Sequence, residues 1–367
     1  MSISTFLYHT KTLKQCSAMN SFFDRIIRRI ASSCAVKPLW LCNCGEIPND
    51  YAPDLVLHHM AWPTLHYYIF SRYSKYKLIN TAATPPLKRH LLNVTNILIV
   101  RHASKNWLHF LHDFSNSSHN IQFLFDDDIQ NVIYDSNIPL KYATKTNRRF
   151  SEINRHLNNL YPQAIVSNHI LAQKYNLSPN NILPPVPNII DIPNDAYKEN
   201  DDTCIIFYHG TYSHIREIKW LYNIIKFTLS NLGNCFFEIS GGEKVYNLFN
   251  DIRNVRFIKP MDWFSYLSYT IKFRFDIGLA PLLDSPFNTS RTYTKFFDIT
   301  RSGAVGIYSE CSAYDTIIKH EHNGLLVPNT ESAWIDAINR LALDSELRNR
   351  LYNNALSTMK ALVVKMP

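Results

Sequence analysis

The sequence predicts an α/β protein with two domains, each built on a parallel β-sheet, and a cleft between them. In both halves of the chain, short apolar segments alternate with helical stretches, as in doubly wound parallel sheets. Residues 184–202, rich in Pro, Asn and Asp, separate the two series as a linker. A length of 367 residues fits two domains. We assign residues 1–188 to the first domain and 189–345 to the second, with 346–367 as a C-terminal helix that is a candidate to pack back on the first domain.

The first half begins with a helical pattern at Ser21–Ala31, which has apolar residues on one side and three Arg on the other. Both an anionic membrane surface and its own domain are possible partners for such a helix, and we favour its own domain. Apolar segments that read as strands then follow in order. These are Leu39–Cys42, Leu55–His59, Lys77–Asn80, Ile97–Val100, Ile121–Phe125 and Ala164–Ser167.

The second half repeats this alternation. The predicted elements are strand Cys204–Tyr208, helix Ile215–Phe227 and strands Cys235–Ser240, Val255–Ile258, Phe275–Pro281 and Ala304–Tyr308. Between the last two strands, a polar loop at Asp284–Thr292 leads into a helix at Thr292–Arg301, which Ser302-Gly303 ends. Ligands of open α/β sheets bind beyond the carboxyl ends of the strands, against helix N-termini. This loop is therefore the predicted site for an anionic ligand.

From Ile205 to about Ala355 the chain resembles the donor half of GT-B glycosyltransferases, whose two Rossmann-like domains face a cleft. Many retaining members carry E-x7-E, and here Ser290 and Asp298 occupy its two Glu positions, with Gly303 at the following turn. A related pattern of the superfamily fits better; it consists of Phe-Asn, a basic residue followed by Ser, then Lys and then Glu. Its counterparts here are Phe287-Asn288, Arg291-Thr292, Lys295 and Asp298. The ending His322–Ala355 is also similar to that of such a domain.

The resemblance implies a GT-B fold and transfer of a sugar from a nucleotide sugar to a glycan or glycolipid acceptor, as in bacterial-type surface polysaccharide synthesis. It implies retention of configuration, with no metal or other cofactor. Lys295 and Arg291 would stabilise the departing phosphate, and Asp298 would accept hydrogen bonds from the ribose. The other donor-binding candidates are His209, Gly210, Thr211, Gly241, Gly242, Asn288, Ser290 and Thr292.

Two groups in the first domain are candidates for the acceptor side, because each ends a predicted strand. Asp126, Asp127 and Asp128 form an acidic triplet in which mutual repulsion raises at least one pKa. We assign Asp126 and Asp127 to catalysis and Asp128 to acceptor binding; a solvated turn, or a helix N-cap at Asp128, is the alternative. His58 and His59 could orient an acceptor or act as a base, although a structural role is more common for such a pair.

Composition limits the partners and the compartment. A net charge of +8 and a pI near 9.0 favour anionic partners, with a generally basic surface as the alternative. Seven Cys lack a disulfide framework, and the Cys42/Cys44 pair lacks the second pair that a zinc site needs. With no secretory signal and no apolar run of about 18 residues, we expect a cytoplasmic protein, with peripheral contact to the inner face of an anionic membrane as an option.

Two other functions stay open at this point. A sugar-nucleotide epimerase of the same fold would use the acidic triplet as its base. A non-catalytic, basic nucleic-acid-binding protein is the second, but the aromatic residues follow core periodicity and no RNA-binding signature is present, so we predict no nucleic-acid partner. The sequence has neither G-x-G-x-x-G nor a P-loop, which leaves hydride transfer and ATP hydrolysis without support.

Overall fold

The computed structural model describes residues 51–115, 118–157, 163–193 and 203–363. Three predictions lie outside these residues: the helix Ser21–Ala31, the strand Leu39–Cys42 and the interpretation of Cys42 and Cys44. The later part of the predicted linker, from residue 194, lies outside them as well.

The first domain contains one parallel sheet. Its strands are β1 (Leu55–His58), β2 (Lys77–Asn80), β3 (Asn96–Val100), β4 (Asn120–Phe125) and β5 (Gln163–Val166). Their spatial order is β2-β1-β3-β4-β5, so the chain changes direction across the sheet between β1 and β3. This is one of the two common orders of doubly wound folds. The five predicted strands are confirmed, with bounds that differ by one residue at most.

Burial on both faces explains why β1, β3, β4 and β5 are mostly apolar, whereas the edge strand β2 is largely exposed. All four residues of β1 are buried, as are five of the six in β4. The helices that flank the sheet are α1 (Trp62–Leu65, continued by a π-helical turn at His66–Phe70), α2 (Lys105–Phe114), α3 (Leu140–Leu157) and α4 (His169–Tyr175). Trp107 of α2 and Phe123 of β4 are fully buried in the core on one face.

The second domain has a six-stranded parallel sheet. Its strands are β6 (Cys204–Tyr208), β7 (Cys235–Ser240), β8 (Val255–Ile258), β9 (Ile277–Ala280), β10 (Val305–Ser309) and β11 (Leu325–Val327). The order β11-β10-β9-β6-β7-β8 is that of a Rossmann fold, with its switch point between β6 and β9. The predicted strands are confirmed. The sequence analysis did not identify β11, because three residues are too few to carry a pattern.

Six helices accompany the second sheet among the described residues. They are α5 (Ile215–Asn231), α6 (Glu243–Phe249), α7 (Trp263–Lys272), α8 (Thr294–Arg301), α9 (Glu331–Leu343) and α10 (Ser345–Leu362). The predicted helices at α5 and α8 are confirmed, whereas α6 and α7 were not predicted. Helix α7 has the sequence WFSYLSYTIK and begins after Asp262, whose side chain caps it by accepting from the backbone nitrogens of Phe264 and Ser265. None of the described helices combines the length and the apolar character needed to cross a bilayer.

Helix α8 ends where the sequence predicted. Arg301 is its last residue, and Gly303 follows with a φ of 77°. The backbone angle favours glycine here, and a Cβ atom would also displace the flexible Arg274 side chain, whose Cδ would lie 2.4 Å away. The turn sends the chain directly into β10, and the carbonyl of Ser302 accepts from the backbone nitrogen of Phe275, which holds the end of α8 beside the amino end of β9.

The two sheets lie on either side of residue 188, where the sequence analysis drew its boundary. Helix α10 packs on α8, α9 and β10 of the second domain. Its Ala355 and Met359 belong to a buried apolar cluster that continues into the first domain through Val56 and Leu65. This shared cluster holds the two domains together beneath the cleft.

Candidate active site

A cleft of about 860 Å³ lies between the carboxyl ends of the two sheets. His59 and Arg101 line it from the first domain, where they follow β1 and β3 on the two sides of the switch point. His209 lines it from the second domain, directly after β6 at the other switch point. The cleft therefore occupies the position at which open α/β sheets bind ligands.

Two of the three acidic residues line the cleft, and both are neutralised by arginine. Arg101, in the left-handed region with φ of 60°, lies 3.1 Å from Asp126 and 2.8 Å from Asp127. Burial and the neighbouring Asp127 raise the pKa of Asp126 despite the opposing charge of Arg101. Burial would also raise the pKa of Asp127, but Arg291 and Arg101 together lower it. The solvated-turn alternative is therefore wrong.

Asp128 points away from the cleft into the first domain. Its side chain is 1% exposed and bonds to Lys174, Tyr175 and Asn131. It caps no helix of the described residues either. Its expected role in acceptor binding is corrected to a structural one, because both carboxylate oxygens bond to partners inside the domain and the residue does not line the cleft.

The loop before α8 is held by contacts within the second domain. The amide nitrogen of Asn288 donates to Glu217 and to the carbonyl of Leu283, each at 2.8 Å. The Ser290 hydroxyl donates to the carbonyl of Phe287 at 2.9 Å. Thr292 is an exception, because its hydroxyl lies 3.3 Å from that of Tyr68 in the first domain. Asn288, Ser290 and Thr292 do not line the cleft. We correct their expected role in donor binding to shaping this loop.

The same loop is also fastened to the first domain. The Nδ2 atom of Asn168 donates to the carbonyl of Ser290 at 2.8 Å, and Asp135 accepts from the backbone nitrogen of Phe287 at 3.0 Å. Arg291 completes the attachment by donating to Asp127 at 2.8 Å. The position of the Arg291 guanidinium in the cleft therefore depends on both domains.

His214 lies beside this guanidinium. Its Nε2 atom is 3.3 Å from a terminal nitrogen of Arg291. Burial, followed by the charge of Arg291, lowers the pKa of His214 to about 3. The imidazole is therefore neutral at physiological pH and accepts a hydrogen bond from the arginine. It orients Arg291 without adding a second positive charge to this side of the cleft.

Lys295 lies in the first turn of α8 and brings a positive charge into the second-domain side of the cleft. Its Nζ atom donates to the carbonyl of His209 at 2.6 Å and lies 3.5 Å from Oδ2 of Asp298. Both contacts anchor the ammonium group at the carboxyl end of β6. A lysine held in this way can meet an anion with little further loss of side-chain entropy.

Asp298 is part of a buried network that joins the domains. Its Oδ1 atom accepts from the hydroxyl of Tyr67 at 2.6 Å and from Arg301 at 2.7 Å. Arg301 is fully buried and also donates to Asp191 at 3.0 Å, which His66 contacts at 2.9 Å. Burial would raise the pKa of Asp298, but Lys295 and Arg301 lower it. The carboxylate lines the cleft as an anion.

His209 is 6% exposed and is fixed by the fully buried Glu238. Nε2 of the imidazole donates to Oε1 of Glu238 at 3.0 Å, and the Tyr269 hydroxyl donates to the same carboxylate at 2.9 Å. Burial lowers the pKa of His209, although Glu238 opposes this shift. Nδ1 has no hydrogen-bond partner among the described residues. Glu238 thus holds a neutral imidazole with its acceptor nitrogen free.

Several solved structures are similar to this chain. S. aureus TarM gives a TM-score of 0.53 at 13% identity over 73% of this chain, which spans only 52% of TarM, about half its length. A glycosyltransferase from Rickettsia africae gives 0.53 at 11% identity, over 85% of this chain and 95% of that one. Anabaena HepE gives 0.52 at 11%, over 84% and 95%. The chain has the GT-B fold.

No family model and no curated protein sequence matches the chain, so the GT-B assignment rests on structure. The two sheet orders agree with it, since each domain of the GT-B fold is Rossmann-like. Of the donor-side candidates, the following line the GT-B cleft: His209, Gly210, Thr211, Gly241, Gly242, Arg291, Lys295 and Asp298. At Gly241 a Cβ atom would lie 2.5 Å from Cβ of Val245, so the start of α6 needs glycine there.

The two predicted histidines have different environments. His59 lines the cleft, whereas His58 is fully buried outside it, packed against the ring of Trp62 at 4.5 Å. Neither ring nitrogen of His58 has a hydrogen-bond partner among the described residues. Burial lowers its pKa to about 4. His58 is therefore a neutral core residue, and its expected acceptor contact is corrected.

Among the residues that line the first-domain side of the cleft and that the sequence analysis missed are three basic ones. Arg101 and His102 directly follow β3. The criterion that identified Asp126, its position at the end of a predicted strand, would therefore have found them too. Arg149 lies on α3, in the middle of a helix, and no local signal marks its orientation. Among the described residues, no group of three His, Cys, Asp or Glu side chains could hold a metal ion.

Proposed function

We propose that the protein transfers a sugar from a nucleotide-sugar donor to a glycan or glycolipid acceptor. The observation that carries this proposal is the pair of cations, Lys295 and Arg291, in a cleft between the carboxyl ends of two parallel sheets. The HepE structure of the same fold contains UDP, and the TarM structure contains UDP and α-GlcNAc-glycerol. A nucleoside diphosphate at the corresponding position here would bring its phosphates to these two cations.

Charge stabilisation is the main catalytic step in this proposal. As the bond between the sugar and the diphosphate breaks, negative charge grows on the leaving phosphate. Lys295 and Arg291 are held in place by a backbone carbonyl and by Asp127, so they require little reorganisation to meet that charge. Nδ1 of His209, free of any described partner, would accept a hydrogen bond from a donor hydroxyl. Oδ2 of Asp298 would accept one from the ribose.

The acceptor would bind on the first-domain side. Asp126, with its raised pKa, would meet the acceptor hydroxyl that attacks the sugar. Retention of configuration and independence from metal belong to the proposal, and rest on the likeness of the loop before α8 to the pattern of retaining enzymes. A cytoplasmic setting at an anionic membrane surface and a role in surface polysaccharide synthesis rest on the basic composition and on the same likeness.

A panel of radiolabelled sugar nucleotides, each incubated with and without candidate acceptors, tests the proposal. Label that moves to an acceptor supports glycosyl transfer, whereas conversion of the sugar nucleotide alone would indicate an epimerase. If neither reaction occurs and the protein binds nucleic acid, the proposal is overturned in favour of a binding protein. The melting temperature with UDP, GDP or ADP identifies the base, because a ligand specific for the folded state stabilises it.

A further inference from the structure

The first-domain side of the cleft carries a positive charge that the donor chemistry does not use. Arg149, on helix α3, lines the cleft and is half-buried. Unlike Arg101 and Arg291, it makes no hydrogen bond or ion pair with any described residue. Lys145 and Arg148, both exposed, lie on the same helix within one turn of it. The five residues from Lys145 to Arg149 thus carry three cations, of which Arg149 lines the cleft.

The carboxylates nearby do not balance this charge. Asp127 is shared by Arg101 and Arg291, and Asp126 pairs with Arg101. Glu152, on the next turn of α3, attracts Arg149 without forming an ion pair with it. Burial of Arg149 and the repulsion from Arg148 and Arg101 outweigh this attraction, since the pKa of Arg149 is lowered. A guanidinium that is partly removed from water and left unpaired is unfavourable. A ligand with a negative charge would remove this imbalance.

Two imidazoles beside Arg149 provide a second, independent observation. His102 is 7% exposed and lines the cleft, and its Nδ1 atom has no hydrogen-bond partner in the described part of the chain. The ring of His59 lies 5.2 Å from it, and Nδ1 of His59 also has no described partner. Buried polar atoms are normally satisfied. These atoms therefore have unused capacity for bonds to a polar ligand at the Arg149 end of the cleft.

We propose that the acceptor carries a phosphate or carboxylate group, which Arg149 binds with help from His102 and His59. The inference rests on the proposed function, since it describes the acceptor of that reaction. The anion would lie on the first-domain wall, and the acceptor hydroxyl would extend from it towards Asp126. Two sources fit this chemistry: a diphosphate that links the acceptor to a lipid, and an acidic sugar within a glycan.

Calorimetry on the full chain tests the inference, with the donor site first saturated with UDP. The probes are inorganic pyrophosphate, methyl glucuronide and uncharged methyl glucoside. If pyrophosphate binds more tightly than methyl glucuronide, the anionic group of the acceptor is a lipid diphosphate. If methyl glucuronide binds more tightly, the group is an acidic sugar. Arg149→Gln should weaken the preferred anion at least about tenfold, the loss expected for a charged hydrogen bond. Equal binding of methyl glucoside and the anions, or binding of none of them, would overturn the inference.

Arg155→Gln is the matched control, because Arg155 is exposed on the same helix and does not line the cleft. It should bind the anion as the parent does, and equal weakening by both variants would also overturn the inference. Parent-like melting temperatures for both variants exclude unfolding as the cause. If UDP does not bind, the proposed function fails at its donor side, while the Arg149 and Arg155 comparison with pyrophosphate still decides whether this anion site exists.

Discussion

The hydroxyl group of Tyr67, in the first domain, donates a hydrogen bond of 2.6 Å to Oδ1 of Asp298, in the second. Burial raises the pKa of Tyr67 well above its usual value, so the hydroxyl keeps its proton and remains a donor. The same carboxylate contacts Arg301 and lies near Lys295 in the cleft. One residue therefore contributes both to the contact between domains and to the candidate donor site.

We expect Asp298→Ala to reduce stability and donor binding together. It removes a carboxylate from the fully buried Arg301, and breaking a buried ion pair lowers the free energy of unfolding by about 3 kcal/mol. UDP affinity should fall about tenfold, as one charged hydrogen bond is lost. Urea denaturation and calorimetry measure the two effects. Tyr67→Phe is the control: it should remove about 1 kcal/mol of stability and leave UDP affinity unchanged. The same loss of UDP affinity in both variants would contradict the role of Asp298 in donor binding.

Lys295→Ala should affect turnover far more than stability. Its ammonium group bonds to a backbone carbonyl and makes a longer contact with Asp298, while the proposed reaction needs its charge on the leaving phosphate. We expect the rate of sugar transfer to fall about a hundredfold, as when an oxyanion donor is removed. Lys219→Ala, at an exposed position on α5, serves as the control and should retain the parental rate. Similar rates for both variants would argue against a catalytic Lys295.

Asp126→Asn tests whether the first-domain side of the cleft acts on the acceptor and not on the donor. Asparagine keeps the size of the side chain but loses its charge and its ability to take up a proton. UDP affinity should remain at the parental level, while the acceptor KM rises or kcat falls about tenfold or more. The exposed Asp113 offers a control in Asp113→Asn. Weaker UDP binding with normal acceptor kinetics would instead assign Asp126 to the donor site.

His58→Phe should reduce the acid sensitivity of the fold. The pKa of His58 is about 4 in the folded chain and near 6.5 when exposed, so between these values only the unfolded state binds the proton. Stability from the neutral imidazole is thus present above pH 6.5 and is lost as the pH falls towards 4. Urea denaturation from pH 7 to 4.5 should show a shallower loss for His58→Phe than for the parent. A control variant at the exposed His112, His112→Phe, should follow the parent.

Gly303→Ala tests the turn between α8 and β10. The left-handed backbone opposes a Cβ atom, so we expect the free energy of unfolding to fall by about 1–2 kcal/mol. Gly233→Ala is the comparison, because a Cβ atom there would have no atom within 4 Å. Thermal unfolding of the two variants measures the difference. A loss of equal size at Gly233 would point to a general effect of replacing glycine.

Local pattern predicted much of the fold and part of the site. Strands such as Cys204–Tyr208 could be predicted because both of their faces are buried. Position at the end of a strand also predicted that Asp126, His59 and His209 would line the cleft, as they do. Asp128 shows the limit of that criterion. Successive residues after a strand point in different directions, and only the tertiary partners Lys174 and Tyr175 decide which of them turns inwards.

Other features depend on contacts far apart in the chain. Tyr67 and Asp298 are separated by 231 positions, so nothing in the local sequence marks the aspartate as a residue of the domain interface. Arg301 looks like an ordinary helix-ending cation, yet it is fully buried because Asp298, Asp191 and Thr270 receive its hydrogen bonds. The position of the Arg149 side chain in the cleft depends on how α3 is rotated against its sheet, and only the packed structure determines that rotation.

Because the Arg291 loop is attached to both domains, the arrangement of Lys295 and Arg291 depends on the contact between the domains. Lys295 is anchored entirely within the second domain, but Arg291 and its loop are held by Asp127 and Asn168 of the first domain as well as by His214 of the second. If the domains hinge apart, Arg291 loses its first-domain partners while Lys295 keeps both of its contacts. A donor bound to the open form would then be protected from wasteful reaction with water. Closure over both substrates would restore the first-domain contacts of Arg291.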